Sequence, residues 1–395
     1  MLLDNPSALR GHYARALFED VIPFWMRHSP DPEYGGYLTC LERDGRVFSD
    51  AKNVWLQGRQ VWMLSRLYRA AEPRPEYLDL AASGARFLAQ HGRDENGDWF
   101  LLLDRKGRPL DARRDIFSAC FAALGLGEYS RASGESWAAH LAVQTFHRVQ
   151  EVVAGGRVPL NELAPQDPSL LSLSLPMIQV NLAAELAQAV PGCPLGSVLR
   201  DAMGLILTRF LDRETGLIYE RVAPDGSHPD SPDGRLITPG HGIESAWFIM
   251  AAAEQLQDRA AVELAADALE GQLSFGWDPA HGGIFTFLDA RRREPVPPEG
   301  DRKVWWSHTE ALVALLLAWR LTRRASFARW YERVHEYTWS HFPDPRHGEW
   351  FAVLDRQGEV VDSRKGYEYK GCFHVPRALW WCLRTLDQII QAGQA

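Results

Sequence analysis

The chain has 395 residues, of which 46% are hydrophobic and 24% charged, and its formal net charge is −8. These values are typical of a soluble globular protein, and the negative charge argues against nucleic acid as a partner. The start of the chain lacks an apolar run behind a basic head, so we expect neither a secretory signal nor a targeting helix there, and no segment is predicted to span a membrane.

The five cysteines are odd in number and form no C-x-x-C pair. This pattern favours reduced thiols over a disulfide framework or a zinc site, because both of those use paired cysteines. We therefore expect a cytoplasmic protein. The cysteines are Cys40, Cys120, Cys193, Cys372 and Cys382.

Five copies of one unit follow one another along the chain, each opening on an Asp-x-x-x-Gly turn that is one residue shorter in the second copy. An aromatic or β-branched run such as YLTCL or WFAVL comes next, then a turn and a second short run, which predicts a β-hairpin. A stretch with helical spacing follows, as in WLQGRQVWMLSRLYRA, and a second helical stretch precedes the next copy. The copies begin at Asp31, Asp94, Asp212, Asp278 and Asp344.

The second and third of these copies are 118 residues apart, about twice the 63 or 66 residues that separate the other neighbours. We therefore expect a degenerate copy in this interval, with the Pro-rich loop VPLNELAPQDPSL before the helix SLPMIQVNLAAELAQAV. The stretch FEDVIPFWMRH, which precedes the first copy, is expected to pair with a helix from the C-terminus. Six helix pairs result.

A single helix pair cannot bury its apolar face, so the six pairs are expected to close on one another as inner and outer helices. The predicted fold is all-α, an (α/α)6 barrel formed by residues 1–395 as a single domain, with short β-hairpins at one end. An open solenoid of helix pairs is the alternative. In a closed ring the starts of the inner helices converge on a central pocket, where functional residues are expected.

The first and fourth units place polar residues at these helix starts. Arg59 lies between Trp55 and Trp62 on one helical face, which suits an oxyanion or a sugar hydroxyl but equally suits a structural arginine held by core aromatics. His241 and Glu244 are three residues apart, so the carboxylate can orient the imidazole or contact a ligand. A structural role remains the alternative for a lone histidine.

The fifth and sixth units add further candidates. Trp306, His308 and Glu310 follow one another in KVWWSHTEAL, and because His308 and Glu310 are two residues apart, at most one of them is expected to face the centre. His374 and Arg377 follow in KGCFHVPRALWW.

The offsets from each opening aspartate are nearly equal: 28 residues to Arg59, 29 to His241, 32 to Glu310 and 30 to His374. These four side chains are therefore predicted to lie at one height in the ring. A metal site is the obvious competitor for two histidines and two glutamates, but no close pair such as H-E-x-x-H occurs, and we predict no metal. No P-loop, dinucleotide-binding or G-x-S-x-G motif is present either.

Over nearly its whole length the sequence resembles the N-acylglucosamine 2-epimerase family. The resemblance is carried by WLQGRQVW, the run from NELAPQ to SLPMIQVNL, PGHGIESAWF, GWDPAHGGIF, DPRHGEWF and above all KGCFHVPRALW. It implies an (α/α)6 barrel, often a homodimer, with His241 and His374 as an acid/base pair. It also implies assisting roles for Arg59, Glu244, Glu310 and Arg377, and a sugar site lined by Trp306 and neighbouring aromatics.

The resemblance extends to one branch of the family. Cellobiose epimerases and mannose isomerases carry a further histidine on the third inner helix, where this chain reads PMIQVN, so Met177 and Asn181 fit the acylglucosamine branch better. Trp62 and His308 are also expected to contact the sugar. Some members respond to ATP without consuming it, but no residues here place such a site, and we expect no required cofactor.

The expected reaction interconverts N-acetyl-D-glucosamine and N-acetyl-D-mannosamine by moving a proton at C2, with one histidine on each face of the carbon. Histidine suits this task because its ordinary pKa, near 6.5, allows it to give and to take a proton at neutral pH. The alternatives are an aldose–ketose isomerase or a cellobiose or mannose 2-epimerase on the same scaffold, an inverting glycoside hydrolase that uses Glu244 and Glu310, and a non-catalytic binder.

Overall fold

The computed structural model describes residues 2–155, 167–190, 195–295, 297 and 299–394. Most of them are helical, and the strands are two or three residues long. The helices are α1 (Pro6–Arg15), α2 (Ile22–His28), α3 (Val54–Ala70), α4 (Pro75–His91), α5 (Ile116–Ser133), α6 (Ser136–Ala154), α7 (Ser174–Ala189), α8 (Gly196–Leu205), α9 (Pro239–Leu256), α10 (Arg259–Gly276), α11 (Trp305–Thr322), α12 (Ala325–His341) and α13 (His374–Gln394).

Two π-helical segments extend the outer helices. Ala16–Val21 joins α1 and α2 into one rod, and Ile206–Phe210 continues α8. The predicted helix of the degenerate copy is α7, whereas most of the Pro-rich loop before it lies outside the described residues.

The helices alternate between an inner and an outer position. The inner helices α3, α5, α7, α9, α11 and α13 pack on one another in this order, and each also packs on an outer neighbour. Inner helices are buried almost all round, as in α11, where residues 307–318 are all buried, whereas the outer α12 is buried on one face. Sequence and position therefore agree, because a helix that is apolar on all sides has to be surrounded by protein.

The ring is closed at its two chain ends. The C-terminal α13 packs on the outer α1, and Trp62 of α3 lies against Phe373 and Trp380, with ring centroids 5.6 and 6.4 Å away. The first and last inner helices are thus in contact. The fold is the predicted (α/α)6 barrel and not an open solenoid.

Short antiparallel strands link neighbouring units at the end of the barrel where the inner helices begin, which we call the rim. The strand before an inner helix pairs with a hairpin strand of the next unit, as in the pairs β3–β4, β5–β8, β9–β10 and β11–β12. Leu41 pairs with Gly366 and closes the circuit. The strands are β1 (Cys40–Leu41), β2 (Val47–Ser49), β3 (Lys52–Asn53), β4 (Leu102–Leu103), β5 (Leu171–Ser172), β6 (Leu211–Asp212), β7 (Leu217–Ile218), β8 (Arg221–Val222), β9 (Leu236–Ile237), β10 (Leu288–Asp289), β11 (Lys303–Val304), β12 (Val353–Leu354) and β13 (Val360–Asp362).

The aspartates that open the repeats have a structural reason to recur. In three copies the buried carboxylate accepts from a buried lysine of the same unit, at 2.9 or 3.0 Å, and from an arginine of the next unit. Each such triad therefore ties two units together. The triads are Asp31–Lys52–Arg105, Asp278–Lys303–Arg356 and, across the closing seam, Asp344–Lys365–Arg43.

Within the described part of the chain, no helix has both the length and the apolar character that a bilayer crossing demands. Four cysteines are buried as free thiols, while Cys193 lies outside the described residues.

Candidate active site

The rim brings the first turns of several inner helices together. His374 is the first residue of α13, His241 the third of α9 and Trp306 the second of α11. Pro239 at the start of α9 and the strand β11 directly before α11 set where these helices begin. Trp306 lies between the histidines, with its ring 5.0 Å from that of His241 and 6.0 Å from that of His374.

His374 is hydrogen-bonded to Glu310 of the neighbouring helix. Its Nδ1 lies 2.7 Å from Glu310 Oε1, and Glu310 also accepts from Arg377 Nη2 at 2.7 Å and from Trp247 Nε1 at 2.8 Å. Burial, reinforced by the positive charges of Arg59 and Arg377, holds the pKa of His374 well below its usual range. The ring is therefore neutral at physiological pH, with the proton on Nδ1 and Nε2 able to act as a base.

His241 has an equivalent partner that the sequence analysis did not identify. Its Nδ1 lies 2.8 Å from Glu220 Oε2, and Glu220 is only 7% exposed. Burial raises the pKa of the Glu220 carboxyl, but His241 and the hydroxyl of Thr238 outweigh it and the pKa is lowered. Both histidines thus have a glutamate at Nδ1.

Glu220 lies on a hairpin, whereas the repeat pattern predicts functional residues at the helix starts. The sequence does distinguish Glu220 when the repeats are aligned at the glycine of the opening turn. One aligned position then holds Glu220 in one copy and an uncharged residue in the other clear copies. We call this set the rim position, and its members are Thr39, Leu101, Glu220, Thr286 and Ala352.

Arg377 links the two remaining carboxylates. Its Nη2 donates to Glu244 Oε1 at 2.6 Å and to Glu310, and it lies 3.4 Å from Nδ1 of His374. The side chains of Arg377, Glu244 and Glu310 are all buried, and Glu310 is completely inaccessible. Glu244 is therefore held by an arginine and not by His241, contrary to one of the roles that the three-residue spacing allowed.

Arg59 lies within the group of charges that surrounds His374. Its guanidinium is stacked near the rings of Trp55, Phe121 and Phe373, at 4.0 to 4.9 Å, and burial lowers its pKa to about 9, partly offset by Glu244. It remains protonated at neutral pH. Its buried Nε has no hydrogen-bond partner among the described residues, so the guanidinium has unused donor capacity.

His308 and Trp62, which were expected to contact the sugar, lie away from the two histidines at the rim. His308 is completely buried, accepts at Nε2 from the amide of Ile284 and donates from Nδ1 to the carbonyl of Val304, so both nitrogens serve the backbone. Burial lowers its pKa to about 3. The expectation that His308 binds substrate is therefore wrong. Trp62 is 2% exposed and packs among aromatics one turn below Arg59, which is a core position.

Met177 and Asn181 lie on α7, the first buried and the second half-buried. Asn181 is one turn before Glu185, which pairs with Arg66 across the lumen, so Asn181 lies on the side of α7 that faces the centre.

The atoms of Glu244, Glu310 and His374 that could ligate a metal lie within 4.8 Å of one another. Arg377 Nη2 already occupies the centre of this group, with hydrogen bonds to both carboxylates. The same short separation argues against the inverting hydrolase, whose two carboxyl groups stand about 6.5 to 9.5 Å apart to admit a water. The donor set fits a guanidinium better than a metal ion.

The fold defines the class of protein. The solved structure of cellobiose 2-epimerase from Spirochaeta thermophila superposes with a TM-score of 0.84 over 99% of both chains, at 20% identity. At this identity the likeness establishes the shared (α/α)6 barrel and nothing further.

The sequence comparisons are more specific. The profile of the N-acylglucosamine 2-epimerase (GlcNAc 2-epimerase) family matches residues 36–374. The N-acylglucosamine 2-epimerase of Bos taurus is 37% identical over 97% of this chain and 92% of its own length, and that of Homo sapiens is 38% identical over 94% and 88%. The chain belongs to the N-acylglucosamine 2-epimerase family, and it is accordingly an isomerase.

Proposed function

We propose that the protein interconverts N-acetyl-D-glucosamine and N-acetyl-D-mannosamine by inverting C2 through an enediolate. The observation that carries the proposal is the pair of histidines on either side of Trp306, each bonded at Nδ1 to a buried glutamate. Because each Nδ1 is bonded to a glutamate, we assign the proton exchange with the ligand to the Nε2 atoms. The choice of an N-acylated sugar rests on the names of the relatives and on Met177 and Asn181 in α7.

The reaction needs two proton transfers at opposite faces of one carbon. In the open-chain sugar one histidine removes the proton from C2, and the bonding electrons move toward C1 so that the carbonyl oxygen becomes an anion. The other histidine, which has taken a proton from water at Nε2 beforehand, gives that proton to C2 from the opposite face and becomes neutral, and the carbonyl re-forms. Each histidine is expected to contribute about 10² to 10⁴ in rate.

Arg59 is proposed to stabilise the enediolate oxygen. It is protonated, half-buried near His374 and has unused hydrogen-bond donors. A single donor of this kind contributes about 2.7 to 4 kcal/mol to the transition state. The first turns of the inner helices add the positive end of their dipoles, so the rim favours an anionic intermediate. The side chains supply the acid, the base and the positive charge, and we propose that no cofactor is required.

The test is incubation with N-acetylmannosamine in deuterium oxide, with and without ATP, followed by proton NMR. Inverted product with deuterium at C2 is expected, whereas a ketose would establish the isomerase alternative. Mannose and cellobiose serve as competing substrates. His374→Asn is expected to abolish turnover while the sugar still binds, and full activity in this variant would refute the two-histidine mechanism.

A homodimer is part of the proposal. Exposed apolar side chains on the edge strands β2 and β13 support it, because exposed apolar surface favours a protein contact. Light scattering during size exclusion distinguishes a dimer from a monomer. The buried thiols support a cytoplasmic setting. The exposed apolar side chains on β2 and β13 are Val47, Phe48, Val360 and Val361.

A further inference from the structure

Glu220 differs in kind from the residues at the rim position of the other clear copies. Those residues are two threonines, a leucine and an alanine, and Glu220 is 7% exposed. Burying a carboxylate has a free-energy cost that an uncharged residue at the same place avoids. The four other copies show that the fold does not need a charge here, so the charge in this copy requires another explanation.

The backbone holds the rim position firmly at the start of the inner helices. The Glu220 carbonyl accepts from the amide of Leu173, directly before α7, and its own amide donates to the carbonyl of Leu236 in β9, the strand that leads into α9. The carbonyls of Leu101 and Ala352 accept in the same way from the first residues of α3 and α11. The side chain of Glu220 is therefore presented at the rim from a fixed point.

The carboxylate of Glu220 is directed at one catalytic histidine. Oε2 lies 2.8 Å from Nδ1 of His241, and the side chain of Thr238 helps to lower the pKa of the same carboxyl. Thr238 is the cap residue of α9, yet its side chain makes no cap hydrogen bond. The charge of the neighbouring Arg221 is engaged by Asp233 at 2.9 Å. The surroundings of Glu220 thus serve the contact with His241.

We propose that Glu220 is a positioning residue for the epimerisation: it fixes the proton of His241 on Nδ1, aims Nε2 at C2 and compensates the charge that His241 gains when it takes a proton. This inference rests on the proposed function. The pairing with Glu310 gives His374 the same support, so each face of C2 has its own glutamate-supported histidine. Glu310 also accepts hydrogen bonds from Arg377 and Trp247. Glu220 lies on a hairpin of the rim.

Two variants separate this role from simple damage. Glu220→Gln keeps the shape and an oxygen for Nδ1–H but removes the charge, and Glu220→Thr installs the residue found at the rim position of two other copies, which the fold accepts there. We expect kcat to fall by at least about 10-fold in Glu220→Thr, less in Glu220→Gln, and in neither by more than in His241→Asn. KM is expected to stay close to the wild-type value. Asp225→Asn, in the turn that follows β8, where the side chain accepts from Ser227, is the control and should keep wild-type kcat.

The decisive readout is hydrogen exchange at C2 in deuterium oxide. When His241 is impaired, His374 still removes the C2 proton of one epimer, exchanges it with deuterium oxide and returns a deuteron to the same face, so that epimer becomes deuterated without inversion. His241→Asn is expected to raise the ratio of exchange to inversion for one epimer, and both Glu220 variants are expected to raise it for that same epimer. His374→Asn is expected to raise it for the other epimer. Equal losses of exchange and inversion for both epimers, or unchanged kcat, would overturn the proposal.

A second measurement works even where no turnover is seen. In protein labelled with ¹⁵N-histidine, with the His241 signals assigned from His241→Asn, the wild type is expected to show the Nδ1–H tautomer, and Glu220→Thr to lose that preference. An unchanged tautomer would refute the positioning role. If the wild type deuterates no amino sugar at C2, the proposed function fails, and the ¹⁵N spectra still decide whether Glu220 orients His241.

Discussion

Replacement of Asp344 by asparagine tests the seam that closes the ring. Asp344 is 2% exposed and accepts from Lys365 Nζ at 3.0 Å and from Arg43 Nε at 2.7 Å. Lys365 is completely buried, so Asp344→Asn leaves its ammonium without the charge partner that compensates its burial. Breaking a buried pair in this way costs about 3 to 5 kcal/mol. Arg43 is half exposed and adds little to that figure.

Urea denaturation followed by circular dichroism at pH 7 measures the effect. The variant is expected to unfold at a clearly lower urea concentration, whereas Asp44→Asn, which removes an exposed ion pair with Arg46, should leave the midpoint unchanged. The double variant Asp344→Leu, Lys365→Met should recover most of the loss, because neither charge is then buried. A loss below about 1 kcal/mol, or a double variant as unstable as the single one, would refute the reasoning.

The same pair predicts a dependence on pH. Burial alone raises the pKa of Asp344, but Arg43 and Lys365 outweigh it and hold the pKa well below its usual range. A carboxyl with a depressed folded-state pKa stabilises the protein above its unfolded pKa of about 3.9, and this contribution is lost as the pH falls toward the folded value. The difference between wild type and Asp344→Asn is therefore expected to shrink below about pH 4. It should also shrink as the pH rises above neutrality, because burial lowers the pKa of Lys365 to about 8 and the unpaired ammonium of the variant then loses its proton.

Three further outcomes are expected. Gly58→Ala places a Cβ 2.3 Å from the carbonyl oxygen of Phe121, so α3 and α5 have to separate, and the midpoint of thermal unfolding should fall strongly. His308→Asn should lower stability by about 1 to 3 kcal/mol through lost backbone hydrogen bonds but leave kcat of the folded protein unchanged; a selective loss of kcat would restore His308 to the site. Arg59→Met removes a positive charge that lowers the pKa of His374, so the acidic limb of the pH profile of kcat/KM should move to higher pH.

The order of the elements was predictable because each repeat consists of local sequence patterns. A helix that is apolar on every side, such as α11, can only be an inner helix, and equal offsets from the opening aspartates placed Arg59, His241 and His374 at the rim. The strand pairing between neighbouring units was not predicted. It depends on which segments meet after the ring closes, and strands of two residues carry too little periodicity to reveal their partners.

Side-chain partners were harder to predict than positions. The spacing of His308 and Glu310 indicated that only one of them faces the centre, but it did not show which, because that depends on where α11 begins relative to its neighbours. Glu244 was expected near His241 and instead joins Arg377 of α13, a partner 133 residues away. Glu220 required a comparison between copies, since a glutamate in a hairpin is ordinarily a solvent-exposed residue.

The direction of the inner helices explains why the site lies at the rim and not at the other end of the lumen. The helices begin at the rim, so the positive ends of their dipoles meet there, and their negative ends meet at the far end. Arginines gather at that far end, where Arg66 pairs with Glu128 and Glu185, and Arg69 also pairs with Glu128. An enediolate would be destabilised by the dipoles at the far end. At the rim the carboxylates of Glu220, Glu244 and Glu310 are each bonded to a histidine or an arginine, so the positive potential of the helix starts and of Arg59 remains available to the substrate anion.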